Sequence, residues 1–245
     1  MTERYHGKAA LVAAFLLILA ASLGVVHASV DITPTRLDLG DGQSRGILRL
    51  GNQGDDTKSY EVEVMRWTQT AEGSDEYSAT DDLLAVPPVF TLEPGQEQVI
   101  RVGLLAGADP ETETAYRVFI TELAAPQPEK SSSSGVSMRL RLGIPVFVAP
   151  SGESVPRIEW TGIQRDGDTM YVGLRNAGNV HVKISEVRHK APEMQAESAQ
   201  PALLYLLPGQ VGRVAVDLPQ GNAVGTVLLE TDTAGTLEYA LRASP

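Results

Sequence analysis

The chain has 245 residues, with 20 Lys and Arg against 31 Asp and Glu, a formal net charge of −11, and no cysteine. Its 42% apolar and 21% charged content is that of an ordinary globular chain. The acidic balance argues against a nucleic-acid partner, since phosphate binding needs clustered Lys and Arg. The missing cysteines exclude a disulfide framework, a thiolate nucleophile, a Cys-based zinc site and a lipid-modified N-terminal Cys.

Residues 1–28 read as a cleaved signal peptide. A basic start (Arg4, Lys8) precedes the apolar run Ala9–Val26, which exits through Val26-His27-Ala28 to Ser29, a small-residue cleavage pattern. An uncleaved anchor is the rival, because the run nearly spans a bilayer. No later stretch approaches membrane length, so the mature chain is expected to be soluble outside the cytoplasm. Without disulfides it must bury its cores unaided.

From there the pattern is that of strands: short alternating apolar runs between Gly, Pro, Asn and Asp clusters. In chain order they are Ile47–Leu50, Tyr60–Trp67, Val99–Leu104, Tyr116–Leu123, Val136–Val148, Met170–Leu174 and Val180–Val187. Asp109–Thr114 has room for one helical turn at most. In the last strand Val180, Val182 and Ile184 alternate with His181, Lys183 and Ser185, which predicts a polar face carrying His181.

An ordered pair of signals occurs twice. Asn52-Gln53-Gly54 is followed by Pro94-Gly95-Gln96, and Asn176-Ala177-Gly178 by Pro208-Gly209-Gln210. Both are turn chemistry, and their repetition predicts two copies of one sandwich unit. Each copy has the size and strand density of an immunoglobulin-like β-sandwich. The fold class is therefore all-β, with domains at 29–150 and 151–245 and a break at Pro150-Ser151-Gly152.

The chain resembles periplasmic pilus-assembly chaperones of the chaperone–usher type. The likeness is carried by Pro34-Thr35-Arg36-Leu37, then Asn52-x-Gly54, then Pro87-Pro88-Val89-Phe90-Thr91-Leu92-Glu93-Pro94-Gly95-Gln96 running into Val99-Ile100-Arg101-Val102. It continues in Glu113-x-x-Tyr116-Arg117-Val118-Phe119 and Ile144-Pro145-Val146-Phe147-Val148-x-Pro150. The second domain matches weakly, through Asn176-x-Gly178-x-Val180-His181-Val182.

The resemblance implies two sandwiches set in an L or boomerang with a cleft between them. It also implies a non-enzymatic function: a donor strand is lent to a pilin subunit that lacks its last strand, and the subunit passes to an outer-membrane usher. Val136, Met138, Leu140, Leu142 and Ile144 are the expected donor residues, alternating with Ser137, Arg139, Arg141 and Gly143 after the polar segment 126–135. The alternation alone favours the core face of an ordinary interior strand; the resemblance and the polar lead-in favour the donor reading.

In the family a first-strand Arg and a donor-strand Lys bind the subunit's terminal carboxylate. Arg36 fills the first position, whereas Pro145 stands where the Lys belongs. Arg141 or Arg139, with Arg101 or Arg117 from neighbouring strands, are the candidate replacements. Glu113 is expected in a domain-orienting ion pair, but its usual Arg partner is here Ala149.

Other constellations are weak. His181 and His189 on a polar face do not make a metal site, and no G-x-S-x-G elbow is present. Asp55-Asp56 and Asp81-Asp82 read as solvated turns, and Trp67 and Trp160 as core or strand-edge residues. No cofactor is expected. The expected partners are pilin subunits and an usher in the periplasm, with no nucleic acid and no membrane after cleavage; a self-capping dimer of the free chain stays open. The alternative is a secreted structural or adhesive protein with tandem Ig-like domains.

Overall fold

The computed structural model describes residues 30–40, 42–105, 107, 109, 111–124, 138–167, 169–190, 198–216 and 225–241. The leader segment, the polar segment 126–135 and Val136 lie outside them. Every regular element among the described residues is a strand.

The first chain segment serves two sheets. Strand β1 (Val30–Thr33) runs antiparallel to β3 (Arg45–Asn52), while β2 (Leu37–Leu39) runs parallel to β10 (Arg141–Val148). The chain changes sheet over Pro34–Arg36. A second crossing lies at Pro87-Pro88: β6 (Leu83–Val86) pairs with β8 (Glu97–Leu104), and β7 (Val89–Leu92) with β4 (Lys58–Gln69). Proline has no amide to give a ladder, so both crossings fall where pairing is handed over. The sheets are β1-β3-β8-β6 and β2-β10-β9-β4-β5, with β5 at Asp75–Ala79 and β9 at Thr114–Glu122.

Alternation then builds the core. Leu48 and Leu50 of β3 and Ile100 and Val102 of β8 face Tyr60 and Val62 of β4, Val118 and Ile120 of β9, and Ile144, Val146 and Val148 of β10. Each such side chain contributes about 1.5–3 kcal/mol by leaving water.

The second unit has sheets β11-β12-β15 and β14-β13-β16-β17. These strands are β11 (Ile158–Asp166), β12 (Thr169–Asn176), β13 (Val182–Lys190), β14 (Ser198–Leu206), β15 (Val211–Val216), β16 (Gly225–Thr231) and β17 (Thr236–Leu241). Val172, Leu174, Ile184, Leu206, Val214 and Leu229 are at its centre. The chain thus folds as two immunoglobulin-like sandwiches.

The repeated motifs are equivalent in three dimensions. Asn52 N–H donates to Gln96 O (2.9 Å) and Gly95 N–H to Asn52 O (2.8 Å); Asn176 N–H donates to Gln210 O (2.8 Å) and Gly209 N–H to Asn176 O (3.0 Å). Both side chains are buried and accept from the amide two residues on, Gly54 or Gly178. Gly95 and Gly209 have φ of +74° and +77°, so each turn requires glycine.

Three expectations are corrected. The strand predicted at Val136–Val148 begins at Arg141 among the described residues. Asp109–Thr114 forms no helical turn; the Asp109 carboxylate accepts from the amides of Glu111 and Thr112. Neither His181 nor His189 lies on a polar face: both are buried. A register shift between Ile184 and Glu186 inverts the alternation, which carries Val187 and His189 inward. His181 is buried by the other unit.

The two units meet at Trp67, Ala115, Phe147 and Leu207, with Tyr205 packed against them. Gln69 of β4 ties them further, donating to Tyr205 O (2.9 Å) and accepting from Leu207 N–H (3.0 Å).

Candidate functional site

Strand β10 has one satisfied edge and one open edge. Glu122 N–H donates to Leu140 O (2.8 Å), so in the antiparallel register with β9 the even positions of β10 direct their amides and carbonyls at β9. The odd positions point the other way, where β2 covers only Val146–Val148. Ala149 N–H donates to Leu39 O (2.8 Å) on that side, in agreement. Among the described residues, the backbone groups of Arg141 and Gly143 therefore border a lane with no strand in it, which ends where the Pro145 carbonyl meets the start of β2. Pro145 is tolerated mid-strand for the same reason: its missing N–H faces the lane, and no bond to β9 is lost.

The sequence-derived donor residues divide along this strand. Ile144 is buried in the chain's own core, and Leu142 packs against it half-buried. Leu140 is half-buried, whereas Met138 is 86% exposed. The apolar surface offered outward is thus at Met138 and Leu140, upstream of the part of β10 that completes the first core.

Arg36 stands at the end of the lane, one residue before the pair Leu37↔Val146. It is not a lone cation. Its Nε donates to Asp38 (3.0 Å) and its Nη1 to Asp232 of the second unit (2.6 Å). Asp232 also accepts from Lys183 N–H (2.9 Å) and lies 3.6 Å from His181 Nε2. His181 Nδ1 is 2.8 and 2.9 Å from the two oxygens of Glu113, which also accepts from His181 N–H (2.9 Å). The imidazole stacks on Phe147 of β10, with centroids 3.4 Å apart. Glu113, His181, Asp232 and Arg36 thus form one polar chain across the two units.

The electrostatics follow from that geometry. Burial opposes a charged His181, yet Asp232 and Glu113 outweigh it and raise its pKa above the ordinary value. Burial likewise opposes ionised Asp232, but His181, the Lys183 amide and Arg36 push its pKa down to about 2. Glu113 has the domain-linking position that its sequence context suggested. His181, contributed by the second unit, stands where Ala149 left the partner missing.

The remaining cations separate. Arg101 lies on β8, in the sheet that excludes β10, and pairs in register with Ile47 and Val86. Arg139 is exposed. Arg141 is half-exposed, 4.0 Å from Glu63 and 4.0 Å over the Phe119 ring. Arg117 is the best enclosed, with its side chain 15% exposed and its guanidinium 4.0 Å over Trp67. It borders a cleft of about 480 Å³ with Gln69, Asp75, Leu203 and Tyr205. The sequence reading missed Asp232 and the importance of His181, since their roles arise only where the units meet. Among the described residues no group of His, Asp and Glu is placed to hold a metal ion.

Residues 29–154 match the family model for the N-terminal domain of PapD, described as a pili and flagellar-assembly chaperone. Among curated proteins none matches significantly. Three solved structures are similar in fold. One is the CsuC–CsuE chaperone–tip adhesion subunit pre-assembly complex of the archaic Csu pili of Acinetobacter baumannii (TM-score 0.63, 18% identity, 86% of this chain and 98% of that chain covered). Another is the Salmonella enterica SafA pilin in complex with the SafB chaperone (TM-score 0.60, 17% identity, 89% and 99% covered). The third is the YadV chaperone (TM-score 0.59, 16% identity, 88% and 100% covered).

Proposed function

The chain belongs to the family of pili and flagellar-assembly chaperones, and from that premise we propose that it holds pilin subunits in the periplasm by donor-strand complementation and delivers them to an outer-membrane usher. The observation that carries the reading is the empty lane along Arg141–Pro145, collinear with β2 and closed at its far end by Arg36. A subunit strand in this lane gains main-chain hydrogen bonds from Arg141 and Gly143 while Met138 and Leu140 fill the groove of its incomplete sandwich. Such a groove, left bare, exposes apolar surface and unpaired edge groups that drive aggregation.

The direction of the added strand follows from charge. β2 runs parallel to β10, so a chain entering the lane parallel to β10 ends, carboxyl terminus first, against Arg36. An antiparallel chain would put its ammonium there instead. A guanidinium favours the carboxylate through charge-assisted hydrogen bonds. No covalent bond is made or broken in this cycle, which agrees with a non-enzymatic family. The chaperone–subunit complexes among the similar structures support subunits as partners.

The test is Met138→Asp. Met138 is 86% exposed, so stability should change by no more than about 0.5 kcal/mol. A pilin subunit co-expressed with the variant should lose its complex and be degraded. A variant that unfolds, or one that retains the complex at wild-type yield, would refute the reading.

A further inference from the structure

The turn between β12 and β13 touches both the first unit and the segment that joins the units. Asn179, half-buried in that turn, is bonded to both. Its side-chain nitrogen donates to Glu111 O of the first unit and to Glu153 O of the joining segment, each at 2.8 Å. Its side-chain oxygen accepts from Val155 N–H (2.7 Å). Its backbone N–H donates to Val155 O (3.1 Å), and its carbonyl accepts from Glu113 N–H (2.9 Å).

The joining segment travels with the second unit. Ala177 N–H and Gly178 N–H both donate to Arg157 O (2.8 and 3.2 Å). Gly178 permits that closeness, because a Cβ there would fall 2.1 Å from Val155 O and 2.7 Å from Arg157 N. The bonds from Asn179 to Glu111 O and Glu113 N–H are therefore the ones that cross between the units. On the first-unit side their loop is pre-shaped, since the Asp109 carboxylate accepts from the amides of Glu111 and Thr112.

The pattern also fixes the residue type. Two carbonyls face the side-chain nitrogen and one amide faces the side-chain oxygen, a set that asparagine matches and aspartate does not. Glu113 is thus held twice from one turn: Asn179 takes its amide, and His181 takes its carboxylate. The Asn179 contacts carry no formal charge, unlike those of His181.

We propose that Asn179 is a positioning residue, a hinge staple that fixes the second unit on the first independently of the charged chain through His181. Held in this way, the cleft of about 480 Å³ between the units and the lane beside it keep one geometry in the free chain. A partner then meets a preformed surface and avoids the cost of ordering it. That benefit rests on the strand-addition reading; the hinge assignment does not, and its test uses the free chain.

The chain has no cysteine, so single introduced thiols report without background. Ala115→Cys places one in the contact between the units, where Ala115 is 5% exposed. Val118→Cys and Val172→Cys place one in the first and second cores, where both valines are fully buried. The rate of alkylation by iodoacetamide is measured for each in the full chain. Asn179→Ala should raise the rate at Ala115→Cys roughly tenfold, the effect of about one net hydrogen bond, and leave the two core positions at their wild-type rates. Asn179→Asp sets a carboxylate against two carbonyls and should raise it at least as much. Equal acceleration at all three positions would confine Asn179 to the stability of the fold and overturn the assignment. A wild-type rate at Ala115→Cys in either variant would overturn it as well.

Discussion

His181→Leu tests whether one buried imidazole couples the two sandwiches. The substitution keeps an apolar side chain against Phe147 but removes the Nδ1 contacts of 2.8 and 2.9 Å to Glu113 and the 3.6 Å approach to Asp232. The Glu113 side chain is 5% exposed, and the amide of residue 181 becomes its sole partner of those described here. Removing one member of a buried charged pair costs about 3–5 kcal/mol. The retained amide bond and the partial exposure of Asp232 place the expected loss near the low end, about 3 kcal/mol.

The pH dependence has a definite sign. The folded pKa of His181 is raised above its ordinary 6.5, so its contribution is complete below the unfolded value and is lost as pH rises through the folded one. Asp232 is lowered to about 2, so its contribution is present above its unfolded value and is lost as pH falls toward 2. The wild-type advantage over His181→Leu should therefore be greatest between about pH 4 and 6.5 and smaller near pH 9. Guanidinium unfolding followed by tryptophan fluorescence is the assay, because Trp67 is buried at the contact between the units. A difference below about 1 kcal/mol in the acidic window, or an equal difference at both pH values, would refute the reasoning.

Three further outcomes are expected. Arg36→Ala should abolish stable subunit complexes yet barely move the melting temperature, because its ion pairs are partly exposed and such pairs contribute about 0–1 kcal/mol; complexes recovered at wild-type yield would remove Arg36 from the site. Asn176→Ala should lower unfolding stability by about 3 kcal/mol, because it removes the buried side-chain bonds to the carbonyls of Val180 and Leu206 and one of the two acceptors of the Gly178 amide. Asn52→Ala should do likewise in the first sandwich, and a loss below about 1 kcal/mol in either would deny the two turns their common role.

Much of the fold is local and was therefore legible in the sequence. A period of two places Leu48, Leu50, Ile100 and Val102 on one face whatever the partner strand is. The chemistry of Asn-x-Gly and Pro-Gly closes both turns within a few residues, so the duplication was visible before any contact was known. Alternation was less reliable where the ladder is irregular. The shift at Ile184/Glu186 inverted the inside and outside of β13, and no single residue there announces a bulge.

Along β10 and the three residues before it the sequence set the alternation from Met138 to Ile144, but only pairing decided which residues are core and which are offered outward. Ile144 and Leu142 are covered by the chain's own second layer, while Met138 is not. The open edge is likewise a property of three strands: β9 takes the even positions, β2 stops at Val146, and the lane is what remains. The place of Arg36, between β1 and β2, is fixed by its own motif. Its partners were not legible, since Asp232 is 196 residues away in the chain and reaches it only when the sandwiches dock. The same holds for Glu113 and His181, 68 residues apart. Short-range patterns fix strands, turns and faces because steric and hydrogen-bonding constraints act over a few residues. Charge networks across an interface depend on where two finished surfaces meet, and that was decided by the tertiary structure alone.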